Sequence, residues 1–137
     1  MALLSQVNAL KADQPRSGIA FRREVTRKIT PDYESCAGYL PSECWARETS
    51  IRVVSNFANT TIPDLKFDSK EVLVAGDRVV VRGEVTGTPA GELFGVPHTG
   101  TSFRIMAIDI QTIRDGKIAK TFHMENWLSA IGQLRAK

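Results

Sequence analysis

The sequence predicts one α+β domain over residues 1–137, with three helices followed by a four-strand antiparallel meander. In the first half of the chain, apolar residues recur at helical spacing. From Leu65 onwards, β-branched residues dominate and glycine-containing turns separate the segments. The 137 residues are 42% hydrophobic and 24% charged, which is typical of a single globular domain.

The helices are predicted in the first half of the chain. One spans residues 3–10, and a second spans residues 19–29, ending because Pro31 disfavours a helical residue before it. Residues 32–42 predict an irregular segment, since they combine glycine and proline. A third helix begins near Ser42, whose hydroxyl can cap the first turn, and stops before Ile62.

The second half predicts strands joined by turns. The strands span residues 66–74, 78–86, 101–113 and 117–124. Residues 88–100 contain three glycines and two prolines and predict a loop. A short helix closes the chain over residues 127–134. Helices followed by an antiparallel meander predict an architecture in which the helices pack on one face of a curved sheet.

The last predicted hairpin is apolar on both faces. One face carries Phe103, Ile105, Ala107 and Ile113, and the other carries Met106, Ile108 and Ile110. A sheet with one solvated face alternates more cleanly. Because the helices are too few to cover both faces, we expect a homodimer through the outer face.

Composition and charge exclude several partner classes. The net charge of +3 is spread out, and an acid interrupts the one basic cluster, so no nucleic-acid partner is predicted. Apolar runs such as residues 79–81 are far shorter than the roughly 20 residues of a membrane span. With no secretory signal pattern at the N-terminus, we expect a cytoplasmic protein in which Cys36 and Cys44 are reduced thiols.

Metal and cofactor signatures are also missing. The two histidines, His98 and His123, are not at metal-ligand spacing, and no glycine-rich phosphate fingerprint precedes a helix. His98, in a loop flanked by glycines, is expected to be solvated. The sequence therefore predicts neither a metal nor a cofactor.

Two polar residues interrupt the apolar strands of the last hairpin. His123 follows Phe122, and Asp109 lies between two isoleucines. A carboxylate beside an imidazole orients the ring and raises its basicity, which suits proton transfer near neutral pH. The alternative is a buried hydrogen-bonded pair that only stabilises the hairpin.

The turn decides whether these residues can meet. Arg114-Asp115-Gly116 suits a three-residue loop, which makes Asp109 and His123 diagonal neighbours on one face. A two-residue turn at Asp115-Gly116 would place them on opposite faces, because a one-residue slip inverts sidedness.

A series of short motifs resembles the SnoaL-like polyketide cyclase family of the nuclear transport factor 2-like superfamily. In order, they are Pro63-Asp64-Leu65, Gly76-Asp77-Arg78-Val79, residues 91–100, Ile108-Asp109-Ile110, Asp115-Gly116-Lys117-Ile118 and Gln133-Leu134. The resemblance covers residues 62–134.

The resemblance implies a cone-shaped fold in which a curved antiparallel sheet and N-terminal helices surround a pocket. It also implies frequent dimers and ring closure without metal or cofactor, using an aspartate as acid/base. The family segment resembling Gly-Lys-Ile-Val-Glu-His-Trp-Asp stands here as residues 116–123. His123 occupies the place of the acid/base aspartate, and Phe122 that of the tryptophan.

Two functions remain open at this point. One is cofactor-free acid/base chemistry on an apolar carbonyl compound, by cyclisation, isomerisation or dehydration, with His123 and Asp109 as catalytic residues. The other is a non-catalytic ligand-binding or assembly module of the same fold. The residues expected to contact a small apolar molecule are Tyr33, Trp45, Phe57, Phe103, Asn126 and Trp127.

Overall fold

The computed structural model describes residues 26–136, and the predicted helix at residues 3–10 and most of that at 19–29 lie outside them. The strands are β1 (Ile29–Cys36), β2 (Cys44–Ala46), β3 (Lys66–Ala75), β4 (Arg78–Gly87), β5 (Phe103–Arg114) and β6 (Lys117–Glu125). The helices are α1 (Arg47–Asn56), continued by a π-helical turn (Phe57–Thr61), and α2 (Trp127–Arg135). The α+β class and the curved sheet are confirmed.

The sheet has six strands in the order β2-β1-β6-β5-β4-β3, rather than the four predicted. Strands β3 to β6 form the expected antiparallel meander. The prediction of an irregular segment at residues 32–42 was wrong for residues 32–36, because these belong to β1, which pairs parallel to β6 and antiparallel to β2. Residues 37–40 are irregular as predicted. The β1–β6 register shifts between Ile29 and Glu34, around Pro31, which has no amide hydrogen for the ladder.

The cysteines form a disulfide, so the prediction of reduced thiols was wrong. Cys36 and Cys44 are paired residues of β1 and β2, with their Cα atoms 4.0 Å apart. Strand pairing across the intervening loop thus brings together two sulfurs that looked unrelated in the sequence. The reduced thiols were inferred from a cytoplasmic location, and that location stays a prediction.

The β5–β6 hairpin differs from both simple turns considered above. Asp115 and Gly116 both have positive φ, at 53° and 73°, and form a two-residue turn of the type that favours glycine. The register then shifts by one residue, since Ile113 pairs with Ile118 but Thr112 pairs with Lys120. Ala119 is therefore the extra residue of a β-bulge. This bulge reverses the sidedness that the turn alone would impose.

The two faces of the sheet differ in burial. The inner face packs against α2 and the loop at residues 88–100 in a core that contains Ile62, Leu65, Phe67, Val81, Val85, Phe103 and Ile105. The outer face exposes Met106, Ile108, Ile110, Phe122 and Met124. Within residues 26–136, no helix is both long and apolar enough to cross a membrane.

Thiol titration checks the disulfide. In denaturant without reductant, the protein should show no reactive thiol, and after reduction it should show both Cys36 and Cys44, because these are the two cysteines of the chain. Two reactive thiols in the unreduced protein would contradict the bond.

The homodimer stays a prediction, and a charge placed on the outer face tests it. Ile108 is 42% exposed at the centre of the apolar face, so Ile108→Glu should place an unpaired carboxylate in the expected interface. Light scattering should give twice the 15.1 kDa chain mass for the unmodified protein and a monomer or aggregate for the variant.

Leu128→Glu is the matched control, because Leu128 is 81% exposed on α2, away from the sheet face. This variant should keep the dimeric mass. A monomeric unmodified protein at micromolar concentration would rule out the interface.

Candidate active site

A cavity of about 600 Å³ lies between α1 and the inner face of the sheet. Its apolar lining comprises Ala37, Trp45, Val53, Val54, Phe57, Leu65, Phe94 and Trp127. Its polar lining comprises Tyr33, Ser35, Ser42, Glu43, Ser50, Thr121, His123 and Glu125. The volume is that of a typical small-molecule site, and the polar groups are concentrated on strands β1 and β6 and the segments beside them.

His123 and Asp109 meet at the wall of this cavity. The bulge at Ala119 places them directly opposite each other on β6 and β5. His123 Nδ1 is hydrogen-bonded to Asp109 Oδ1, and the Asp109 side chain is completely buried behind the ring. They therefore share a face, although through a two-residue turn and a bulge instead of the three-residue loop that was predicted.

Glu125 is a second carboxylate at the same imidazole. It stands two residues after His123 on β6 and therefore projects to the same face. Its Oε1 is 2.9 Å from His123 Nε2, in an ion pair that is not directed as a regular hydrogen bond. The two carboxylates thus flank the ring at both nitrogens.

The surroundings of His123 change its protonation. Burial alone would lower the pKa of the imidazole, but the hydrogen bond to Asp109 and the interaction with Glu125 outweigh it and raise the pKa to about 10. At neutral pH the ring is therefore an imidazolium held between two carboxylates.

A hydroxyl pair continues the polar strip along β6. Tyr33 Oη donates to Thr121 Oγ1 at 2.9 Å, and both residues line the cavity. Burial is the main cause that raises the pKa of Tyr33, and the Asp109 carboxylate adds to it. Tyr33 is accordingly a neutral hydrogen-bonding group beside the imidazolium.

The family model of the SnoaL-like polyketide cyclases matches residues 23–134. The chain belongs to this family. IdmH from Streptomyces antibioticus, a candidate polyketide cyclase, is 26% identical with a TM-score of 0.73, and the match covers 98% of this chain and 94% of IdmH. TsrD from Streptomyces laurentii is also 26% identical, with a TM-score of 0.71 over 85% of this chain and 84% of TsrD.

A SnoaL-like protein from Jannaschia sp. CCS1 shows the fold alone. It is 19% identical with a TM-score of 0.71, covering 100% of this chain and 96% of its own. The comparison with curated proteins gives no match. The family and the nuclear transport factor 2-like fold expected from the sequence are thereby confirmed.

Four of the six residues expected to contact substrate line the cavity, namely Tyr33, Trp45, Phe57 and Trp127. Phe103 lies outside the lining, buried in the core with its ring 5.4 Å from that of Trp127. Asn126 is also outside the lining, because its side chain accepts a hydrogen bond from the Ser129 amide and caps α2.

Sequence reasoning missed two cavity residues of consequence. Glu125 could have been found, because strand alternation places it on the same face as His123. Phe94 gave no such signal, since it lies in an irregular loop with a positive φ of 49° and reaches the cavity only through tertiary packing against Trp127.

Within residues 26–136, one group of three side chains has the spacing of a metal site: Glu34, Cys36 and Cys44. The two sulfurs are bonded to each other here, and a disulfide is not a thiolate ligand. The groups around His123 do not converge on a common point, because the imidazole separates the two carboxylates. Chemistry without a metal or cofactor stays a prediction.

The protonation of His123 should be visible in the pH dependence of stability. The folded-state pKa of His123, about 10, lies above the ordinary value of 6.5. The protonated ring therefore stabilises the folded state fully below pH 6.5, and this stabilisation is lost as the pH rises towards 10. Urea unfolding across this range should show the free energy of unfolding falling by up to about 1.4 kcal/mol per pH unit.

Asp109→Asn should flatten this slope, because it removes the carboxylate that holds the proton on Nδ1. His98→Gln, which alters the other histidine in a loop away from the cluster, should leave the slope unchanged. If the free energy of unfolding of the unmodified protein does not change between pH 6.5 and 10, the neighbouring carboxylates do not raise the pKa of His123.

Proposed function

We propose that this protein catalyses acid/base chemistry without a cofactor on an apolar carbonyl compound, by cyclisation, isomerisation or dehydration. The observation that carries the proposal is a cluster of three ionisable side chains: His123 and Glu125 line an aromatic-lined cavity, and Asp109 is buried behind His123. An ionisable group with a strongly altered pKa in such a cavity, here the imidazole of His123, is typical of a proton-transfer site.

The cavity supports the substrate class. Its volume of about 600 Å³ suits a molecule of a few fused rings, and its lining includes the aromatic side chains of Trp45, Phe57 and Trp127. In such an apolar enclosure, charges act on a bound carbonyl group with less screening than in water. A carbonyl compound gains most, because the enolate formed when it loses a proton is stabilised by a nearby cation.

The family supports the reaction type. Its model carries the description polyketide cyclase, and IdmH is a candidate for the same activity. His123 stands where the resemblance implies an acid/base aspartate, so the proton-transfer position keeps an ionisable group of a different kind.

The alternative is a non-catalytic module that uses the same cavity to hold an apolar ligand. The aromatic lining favours it, since such a lining is sufficient for binding. An enzyme of this kind accelerates proton exchange in the ligand that it binds, whereas a binding module does not.

Exchange of the α-hydrogens of an aromatic ketone in deuterated water tests the proposal. The protein should accelerate this exchange beyond the buffer rate, as followed by NMR. His123→Gln should lower the rate by about 10²-fold or more, because it removes the cation beside the substrate. His98→Gln is the matched control, because it alters the other of the two histidines of the chain, and it should keep the rate of the unmodified protein.

Binding of the ketone, read by the fluorescence of Trp45 and Trp127, separates the two functions. A protein that binds the ketone without accelerating exchange would be a ligand-binding module. Equal loss of exchange in both histidine variants would show that the exchange does not occur at this site.

A further inference from the structure

Glu125 occupies the cavity wall beside His123, and its two oxygens have different surroundings. Its side chain is only 5% exposed, and Oε1 is enclosed and faces His123 Nε2 at 2.9 Å. The residue lines the cavity, so a bound molecule lies next to this carboxylate. Oε1 faces the imidazole, which leaves Oε2 as the oxygen for contact with a ligand.

His123 has no nitrogen lone pair available to the cavity. Nδ1 is hydrogen-bonded to the buried Asp109, and Nε2 faces Glu125. An imidazole can remove a proton from carbon only through an unprotonated nitrogen that faces the substrate. With a carboxylate at each nitrogen, the ring is best satisfied when both nitrogens carry hydrogen.

The charges of the cluster agree with this arrangement. Asp109 and Glu125 approach the ring from β5 and β6. The Tyr33 hydroxyl on β1 is hydrogen-bonded to Thr121, and the remaining titratable group of the lining is Glu43. The high pKa of His123 means that the ring already holds a second proton at neutral pH. It can then stabilise an anion or donate a proton, but it cannot accept one.

We infer that Glu125 is the base that removes the proton from the substrate, whereas His123, fixed by Asp109, is the cation that positions this carboxylate and stabilises the anion formed. The inference rests on the proposed function and names the residue that performs its first step. It departs from the sequence-based hypothesis, in which His123 itself was the base.

The step balances without any further reactant. The α C–H bond of a carbonyl compound breaks, its proton passes to Glu125 Oε2, and its electron pair forms the enolate. The imidazolium of His123 lies beside the developing negative charge. Return of the proton from Glu125 to a different carbon or oxygen completes an isomerisation. Attack of the enolate on a second carbonyl carbon, whose oxygen then takes the proton from Glu125, completes a ring closure.

Elimination of a nitrobenzisoxazole identifies the base, because this small neutral carbon acid needs a base and no stabilised enolate. The base removes the hydrogen on C3, the N–O bond breaks as the nitrile forms, and the ring opens to a single product, a coloured cyanonitrophenolate. Glu125→Gln should lower the rate by about 10²-fold or more. Glu71→Gln removes a carboxylate from an exposed ion pair with Arg82, far from the cavity, and should keep the rate.

The competing assignment predicts the opposite result. If His123 were the base, Glu125→Gln would free Nε2 and lower the pKa of the ring, so elimination would persist or accelerate. An active Glu125→Gln variant would therefore overturn the inference and leave the proposed function intact. No elimination and no ketone exchange by the unmodified protein would count against the proposed function, and the inference would fall with it.

A titration separates a positioning role from a structural one. NMR of the two imidazoles should show the pKa of His123 falling in Glu125→Gln and falling further in Asp109→Asn, with His98 as the second signal in the same sample. His123→Gln should slow ketone exchange more than benzisoxazole elimination, since only the enolate needs the cation. Equal losses in both reactions would contradict the positioning role.

Discussion

The pairing of β5 with β6 determines which side chains the cavity contains. A two-residue turn alone would send His123 and Glu125 to the outer face and bring Phe122 and Met124 inwards. The extra residue at Ala119 restores the opposite sidedness. Because both faces of this hairpin are apolar, hydrophobic burial discriminates weakly between the two registers. The ion pair between His123 and the buried Asp109 favours the bulged register, because the other of these two registers places the two side chains on opposite faces.

Burying the carboxylate of Asp109 lowers the free energy of unfolding unless a cation is in contact with it. Asp109 is fully buried, and its Oδ2 has no hydrogen-bond partner among residues 26–136. Gln111, two residues along the same inner face, is equally buried, and neither end of its amide has a partner in that part of the chain. A carboxylate in such a place is tolerated only with a counter-charge in contact. The imidazolium of His123 provides it.

The sequence predicts those parts of the molecule that depend on local pattern. Strands β3 to β6, α2 and the loop at residues 88–100 follow from apolar spacing and glycine-containing turns. Helix α1 does so in part, because it begins at Arg47 rather than near Ser42, the residues before it being taken up by strand β2 (Cys44–Ala46). The motifs of residues 62–134 indicate the family, and the match confirms it.

Features that depend on distant partners were not predictable in the same way. Strand β1 is stabilised by pairing with β6, and the contact of Tyr33 with Thr121 joins residues 88 positions apart in the sequence. The disulfide of Cys36 and Cys44 follows from the placement of β1 beside β2. The bulge at Ala119 has no glycine to mark it. Glu125 was the exception, because its alternation with His123 was already visible in the sequence.

A cavity that only held an apolar ligand would gain nothing from this cluster. Replacing a buried ion pair with well-packed apolar residues is often neutral or stabilising, so three ionisable groups at a cavity wall lower stability relative to a simple apolar lining. The groups also differ in their access to the cavity: Asp109 is sealed behind the ring, whereas His123 and Glu125 both line the cavity. A purely structural pair would be complete with Asp109 and His123. The second carboxylate, directed at the same ring from the cavity side, is the feature that a proton-transfer site needs and a binding pocket does not.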